Sequence, residues 1–231
     1  MATSFHANLN QVPLTDAEIQ RDCGLGRAEH AVLLERLERL VTDGLLDAAG
    51  PSRLPGWNRA QLITHLARNA DGHRRMIDGA GRGEVLEQYP GGIDVRNAGI
   101  DAGIDRSARA AVDDLSEATR ALESAWASSD WTGAGRRAPR GETPIDRLPF
   151  LRVREVALHA VDLDIGLELD DLDPLYVRLE LARMEMLWTA RQPMGLTPLP
   201  GAALALTPTD RLGWFTGRLH VDGLAPAGLF Q

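Results

Sequence analysis

The chain reads as mainly α: a four-helix bundle over residues 1–170, followed by a small α/β domain over residues 171–231. Three observations point there. Four segments repeat apolar residues at helical spacing, Gly- and Pro-rich stretches separate them, and the texture changes after Pro193. With 231 residues, 44% hydrophobic and 25% charged, the chain has the balance of a globular protein able to bury a core without disulfides.

Residues 1–26 are polar and rich in turn formers, an arm preceding the bundle. From Ala28 to Ala48, Val32, Leu33, Leu37, Leu40, Val41 and Leu45 recur as one apolar face. Residues 50–57 are a loop. Asn58 then caps a second helix running to Ala80; Gln61 completes a capping box, and Trp57 and Leu62 stand at hydrophobic-staple positions. Residues 81–100, rich in glycine, are expected to form a long loop of the kind that covers a site. A third helix spans 101–129, with Ala110, Leu115, Leu122 and Trp126 facing the core. Residues 131–142, carrying Arg136, Arg137 and Arg140, read as a solvated basic loop. Pro144 or Pro149 opens the fourth helix, which runs to Gly166. Asp173 and Pro174 start a fifth, to Arg191. A short apolar run from Ala202 to Leu206 and a short helix from Asp210 to Gly217 follow, so the tail reads as a small α/β appendage.

Composition narrows the function. A net charge of −8 speaks against binding a nucleic-acid backbone. All 25 basic residues are arginine, which excludes Schiff-base lysine chemistry and a P-loop lysine. Cys23 is the sole cysteine, set in a polar stretch, so no intrachain disulfide forms and the thiol reads as incidental. No signal-peptide pattern opens the chain and no run approaches ~18 apolar residues. The expected setting is the cytoplasm, away from membranes, as a monomer or small homo-oligomer.

The chemistry concentrates in the fourth helix. Glu155 and His159, four residues apart, project from one face about 6 Å apart along the axis. In isolation such a pair is commonly a surface ion pair. Here Val156, Leu158, Val161 and Leu163 surround it, so the carboxylate needs compensation, and a shared metal ion provides it. Asp162 is placed to orient His159. A third ligand must come from another helix: His65, between Ile63 and Leu66, ranks first, and His73 second. His6, His30 and His220 show no partner pattern. Two histidines and one glutamate leave a position open, the pattern of catalytic zinc.

Three segments carry a family resemblance. Gly56-Trp57-Asn58-Arg59, leading to Leu62-Ile63-Thr64-His65 and Asn69, resembles the first metal-ligand segment of the mycothiol-dependent maleylpyruvate isomerase family. The run from Arg152 to Leu163 resembles its second, and Gly213-Trp214-Phe215-Thr216-Gly217-Arg218 with Asp222-Gly223 its C-terminal active-site segment. The resemblance implies a DinB-like bundle holding a divalent metal, zinc, on His65, Glu155 and His159. It also implies Arg218 facing the metal, with Arg152, on the face of Glu155, as the next catalytic candidate. The implied partners are a small thiol (mycothiol, alternatively glutathione or cysteine) and an unsaturated diacid. The implied reaction is cis–trans isomerisation of the maleylpyruvate-to-fumarylpyruvate type: thiolate adds to the alkene, the single bond rotates, and elimination restores the alkene. The C-terminal part is shorter than the family's. The same bundle also serves thiol S-transferases, and a non-catalytic binding module or a metal-dependent hydrolase stands as a further alternative.

Overall fold

A computed structural model describes residues 12–138, 140–191 and 197–229, which divide into two compact units at Ile165/Gly166. In the first, α1 (Asp16–Thr42), α2 (Arg59–Ala80), α4 (Ala108–Ser128) and α5 (Leu148–Asp162) form the bundle, with α3 (Gly92–Asp101) beside α2. α2 packs on α4 and α5, and α1 packs on the same two helices, so the cyclic order is α1–α4–α2–α5. Leu33, Leu37, Leu62, Ile63, Leu66, Leu115, Leu122 and Val153 fill the space between them. The mainly helical class and the bundle match the sequence expectation.

α1 begins twelve residues earlier than the sequence pattern suggests, at Asp16 instead of Ala28. Thr15 and Glu18 form a capping box that fixes the start. Gly24 and Gly26 interrupt the apolar pattern, Gly26 for a packing reason: a Cβ there would sit 2.7 Å from the Trp126 ring of α4. α2 begins as expected, with the Asn58–Gln61 capping box formed.

Two segments expected as loops are ordered. Residues 81–91 are irregular, but α3 follows them, entered through Gly91 and Gly92 at φ +84° and +83°. Only Ile100 of α3 is buried, too little apolar surface to show a period in the sequence. Within 131–142 the chain forms an antiparallel hairpin, β1 (Ala134–Arg137) with β2 (Gly141–Pro144). Gly135 is pressed on α2, where a Cβ would meet Met76 at 2.5 Å. Pro144 therefore ends a strand, and it is Pro149 that occupies the first turn of α5.

The second unit holds α6 (Pro174–Thr189), capped by Asp173 as expected, α7 (Gly201–Leu204) and α8 (Pro208–Phe215). Trp188, Trp214 and Phe215 form its aromatic centre. The apolar run from Ala202 is a helical turn, and no strand occurs among the described residues of this unit; the one described hairpin belongs to the bundle. Alanine-rich Gly201–Leu204 favours the helical turn over an extended strand. Among the described residues no helix is long and apolar enough to cross a membrane.

Candidate metal centre

The packing of α2 on α5 brings His65 against Glu155 and His159. One ligand atom from each lies within 4.8 Å of the others. His65 Nε2 is 3.0 Å from Glu155 Oε2, His159 Nε2 is 3.6 Å from the same oxygen, and the two rings meet edge to face. His65 is buried, whereas the side chains of Glu155 and His159 stay 29% and 17% exposed, so the cluster opens to solvent on the α5 side.

Burial and mutual contact set the ionisation of the three side chains. Burial depresses the His65 pKa to about 4, which keeps the ring neutral. Burial opposes ionisation of Glu155, yet hydrogen bonds from His159 and His65 hold its carboxyl well below the usual range. For His159 burial again opposes charge, and the carboxylates of Asp162 and Glu155 outweigh it and raise the pKa. His159 Nδ1–H donates to Asp162 at 2.8 Å, which turns Nε2 toward Glu155. Two imidazoles and a carboxylate, one imidazole oriented by a buried aspartate, are a fitting donor set for zinc.

His73, the other candidate, lies outside the cluster: it is buried in the bundle with Nδ1 lacking a hydrogen-bond partner. Arg152 is fully buried. Its Nε donates to His30 Nε2 at 3.0 Å, and its Nη1 donates to the Leu66 carbonyl and to Asn69. The guanidinium thus ties α5 to α1 and α2. His30, for which the sequence shows no partner, completes that chain with Nδ1 on Glu123 at 2.7 Å and its ring stacked on Trp126. Arg218 follows α8 in the second unit, where its Nη1 donates to the Thr216 carbonyl. Cys23 is buried, and burial pushes its thiol up to about 11. His6 lies outside the described residues.

Other side chains of this region escape a reading by spacing. Trp57 lies beside His65, ring centroids 5.4 Å apart. Arg96 of α3 donates from Nη2 to His65 Nδ1 at 2.8 Å, and its guanidinium lies 5.6 Å from Trp57 and 5.9 Å from Tyr89. Arg137, expected in a solvated loop, is half-buried on β1 with Nε unpartnered. For Arg96 and Tyr89 the sequence signal is the length of the segment between α2 and α4, whereas Trp57 stands at the staple position before α2. A surface cleft of about 410 Å³ runs along α2 past Arg75 to Tyr89, but none of the three clustered residues lines it.

A helical bundle that gathers two histidines and a glutamate from facing helices is the class of molecule this geometry defines. Residues 27–164 match the family described as the mycothiol maleylpyruvate isomerase N-terminal domain, and the chain belongs to that family. A solved structure, the crystal structure of the mycothiol-dependent maleylpyruvate isomerase, superposes with a TM-score of 0.73 at 22% identity, over 87% of this chain and 89% of that one. The crystal structure of a histidine-to-alanine mutant of that enzyme gives 0.72 over the same shares at the same identity. No curated protein matches the chain.

Proposed function

We propose that the protein is a metal- and thiol-dependent cis–trans isomerase of an unsaturated keto-diacid, of the maleylpyruvate-to-fumarylpyruvate type. The observation that carries this reading is the His65–Glu155–His159 cluster, set within the stretch that matches the isomerase family. His65, Glu155 and His159 would hold zinc. When bound, the metal supplies a Lewis-acidic position that keeps a small thiol, mycothiol by this reading, deprotonated, and the thiol supplies the nucleophile for reversible addition to the alkene.

The chain's own residues do the rest. Asp162 fixes the His159 ring so that Nε2 faces the cluster. Glu155 brings the negative charge that balances part of the metal's. Trp57 walls the site beside His65 and limits water there. Arg218 is assigned to a substrate carboxylate or to the enolate that follows addition, because a planar guanidinium matches both. Cys23 takes no part, its thiol being buried and protonated.

The test is to load the purified protein with zinc and add maleylpyruvate with mycothiol, glutathione or cysteine in turn, following absorbance and free thiol. Turnover without thiol consumption is expected; consumption would mark an S-transferase, and no turnover with any of the thiols would overturn the isomerase reading. His65→Ala, Glu155→Ala and His159→Ala should each lose most of about one metal per chain. Full occupancy after His65→Ala would sink the three-ligand centre. Arg218→Ala should keep its metal and lose turnover roughly 100-fold.

A further inference from the structure

Arg96 stands apart from several other arginines of the bundle. Arg68 and Arg106 pair with Asp114, and Arg53 and Arg59 pair with Asp164. In a chain with 33 acidic against 25 basic residues, Arg96 has no carboxylate partner among the described residues. Its neighbours are all uncharged: His65 Nδ1, the Asn97 side chain, and the faces of Trp57 and Tyr89. It stands on an exposed helix entered through two left-handed glycines.

Its bond to His65 has a chemical consequence. A guanidinium only donates, so Nδ1 of His65 must be bare and the ring proton sits on Nε2, donated to Glu155 at 3.0 Å. A neutral imidazole that gives Nε2 to a metal carries its proton on Nδ1, which Arg96 cannot accept. No change of net charge is involved; the two arrangements exclude each other through the placement of one proton. Metal on His65 therefore turns Arg96 loose beside the centre, with two aromatic faces still supporting it.

We propose that Arg96 is a carboxylate-binding residue of this site, held on His65 until a metal displaces it and then free to grip one carboxylate of the diacid substrate. The inference rests on the metal reading above. A diacid has two carboxylates, and the planar fork of Arg96 would take the one nearer α3. The bond to His65 keeps the donor occupied in the metal-free protein, so anion binding follows metal binding.

Calorimetry without thiol separates the possibilities. Zinc is titrated into metal-free wild type, Arg96→Ala and Arg96→Gln, and maleate is then titrated into each loaded protein, with thermal melts to confirm folding. Arg96→Ala should bind zinc more tightly, on the order of tenfold, the worth of one lost competing hydrogen bond. Arg96→Gln, whose carbonyl can accept from Nδ1–H, should bind at least as tightly. Both loaded variants should bind maleate on the order of tenfold to 100-fold more weakly than loaded wild type. A residue that merely supports the fold would weaken both ligands when removed. Zinc affinity unchanged or reduced in Arg96→Ala overturns the exclusion, and unchanged maleate affinity overturns the carboxylate role. If, in a separate titration, N-acetylcysteine binds the loaded variants more weakly while maleate does not, the carboxylate belongs to the thiol and the proposal fails. Absence of zinc uptake by wild type would remove the metal reading itself, a result distinct from any of these.

Discussion

Asp162 is buried, and its carboxylate accepts from His159 Nδ1–H at 2.8 Å. That bond decides which nitrogen of His159 is turned to the cluster, so its worth should appear in metal affinity before it appears in stability. Asp162→Asn, which exchanges a charged acceptor for an amide, is expected to weaken zinc binding ~10- to 100-fold. Competition with a chelating dye measures this, and an unchanged affinity would reduce Asp162 to packing. Asp162, Glu155 and His159 were all legible in the sequence because one helix carries them at fixed spacing. His65 was legible only as the first of two choices, since spacing along α2 cannot say which histidine faces α5. Arg96 was not legible. Its partner is 31 residues away, and nothing in a glycine-rich segment shows which side chain returns to His65.

Among the helices, α1 shows how a glycine can mark close packing instead of a break. Gly26 lies where a Cβ would strike the Trp126 ring, and Gly24, two residues earlier, has nothing within 4 Å. Gly26→Ala should therefore destabilise by about 1–3 kcal/mol through overpacking. Gly24→Ala should be neutral or stabilise by ~0.5–1 kcal/mol, because a helix interior prefers alanine. Urea unfolding of the two variants distinguishes a contact-driven helix from a merely tolerant one; equal effects would contradict the packing account. The same pair explains why the start of α1 was misread. Two glycines lower the helical signal, and the Thr15–Glu18 capping box lies ahead of them. α2 and α6, whose caps adjoin unbroken apolar patterns, were legible nearly to the residue. The hairpin at 134–144 was hidden for a different reason: its strands are four residues each and lean on α2 instead of on a sheet of their own.

At the scale of the molecule, the buried histidines of the bundle couple folding to pH. Burial depresses His30 to about 4 and His73 to about 3. The unfolded chain binds protons at these rings near their ordinary value, and the folded one does not. Stability is therefore full above the ordinary histidine pKa and falls as pH drops below it, by roughly 1.4 kcal/mol per pH unit for each ring. His65, depressed to about 4, acts in the same sense, whereas His159, raised, contributes stability that is lost as pH rises through its folded pKa. Denaturant titrations of the metal-free protein at pH 7, 6 and 5 should show declining stability, and His73→Gln should remove one histidine's share of the slope. A slope unaffected by that change would mean His73 stays neutral in both states. The burial of Cys23 bears on how the protein is handled. With its thiol near 11, only about one molecule in ten thousand is thiolate at neutral pH, and that sulfur is shut inside α1. If the chain uses a small thiol as proposed, this burial spares it mixed disulfides of its own. Alkylation of this one sulfhydryl would proceed only as fast as α1 opens, making Cys23 a reporter of native-state breathing already built into the sequence.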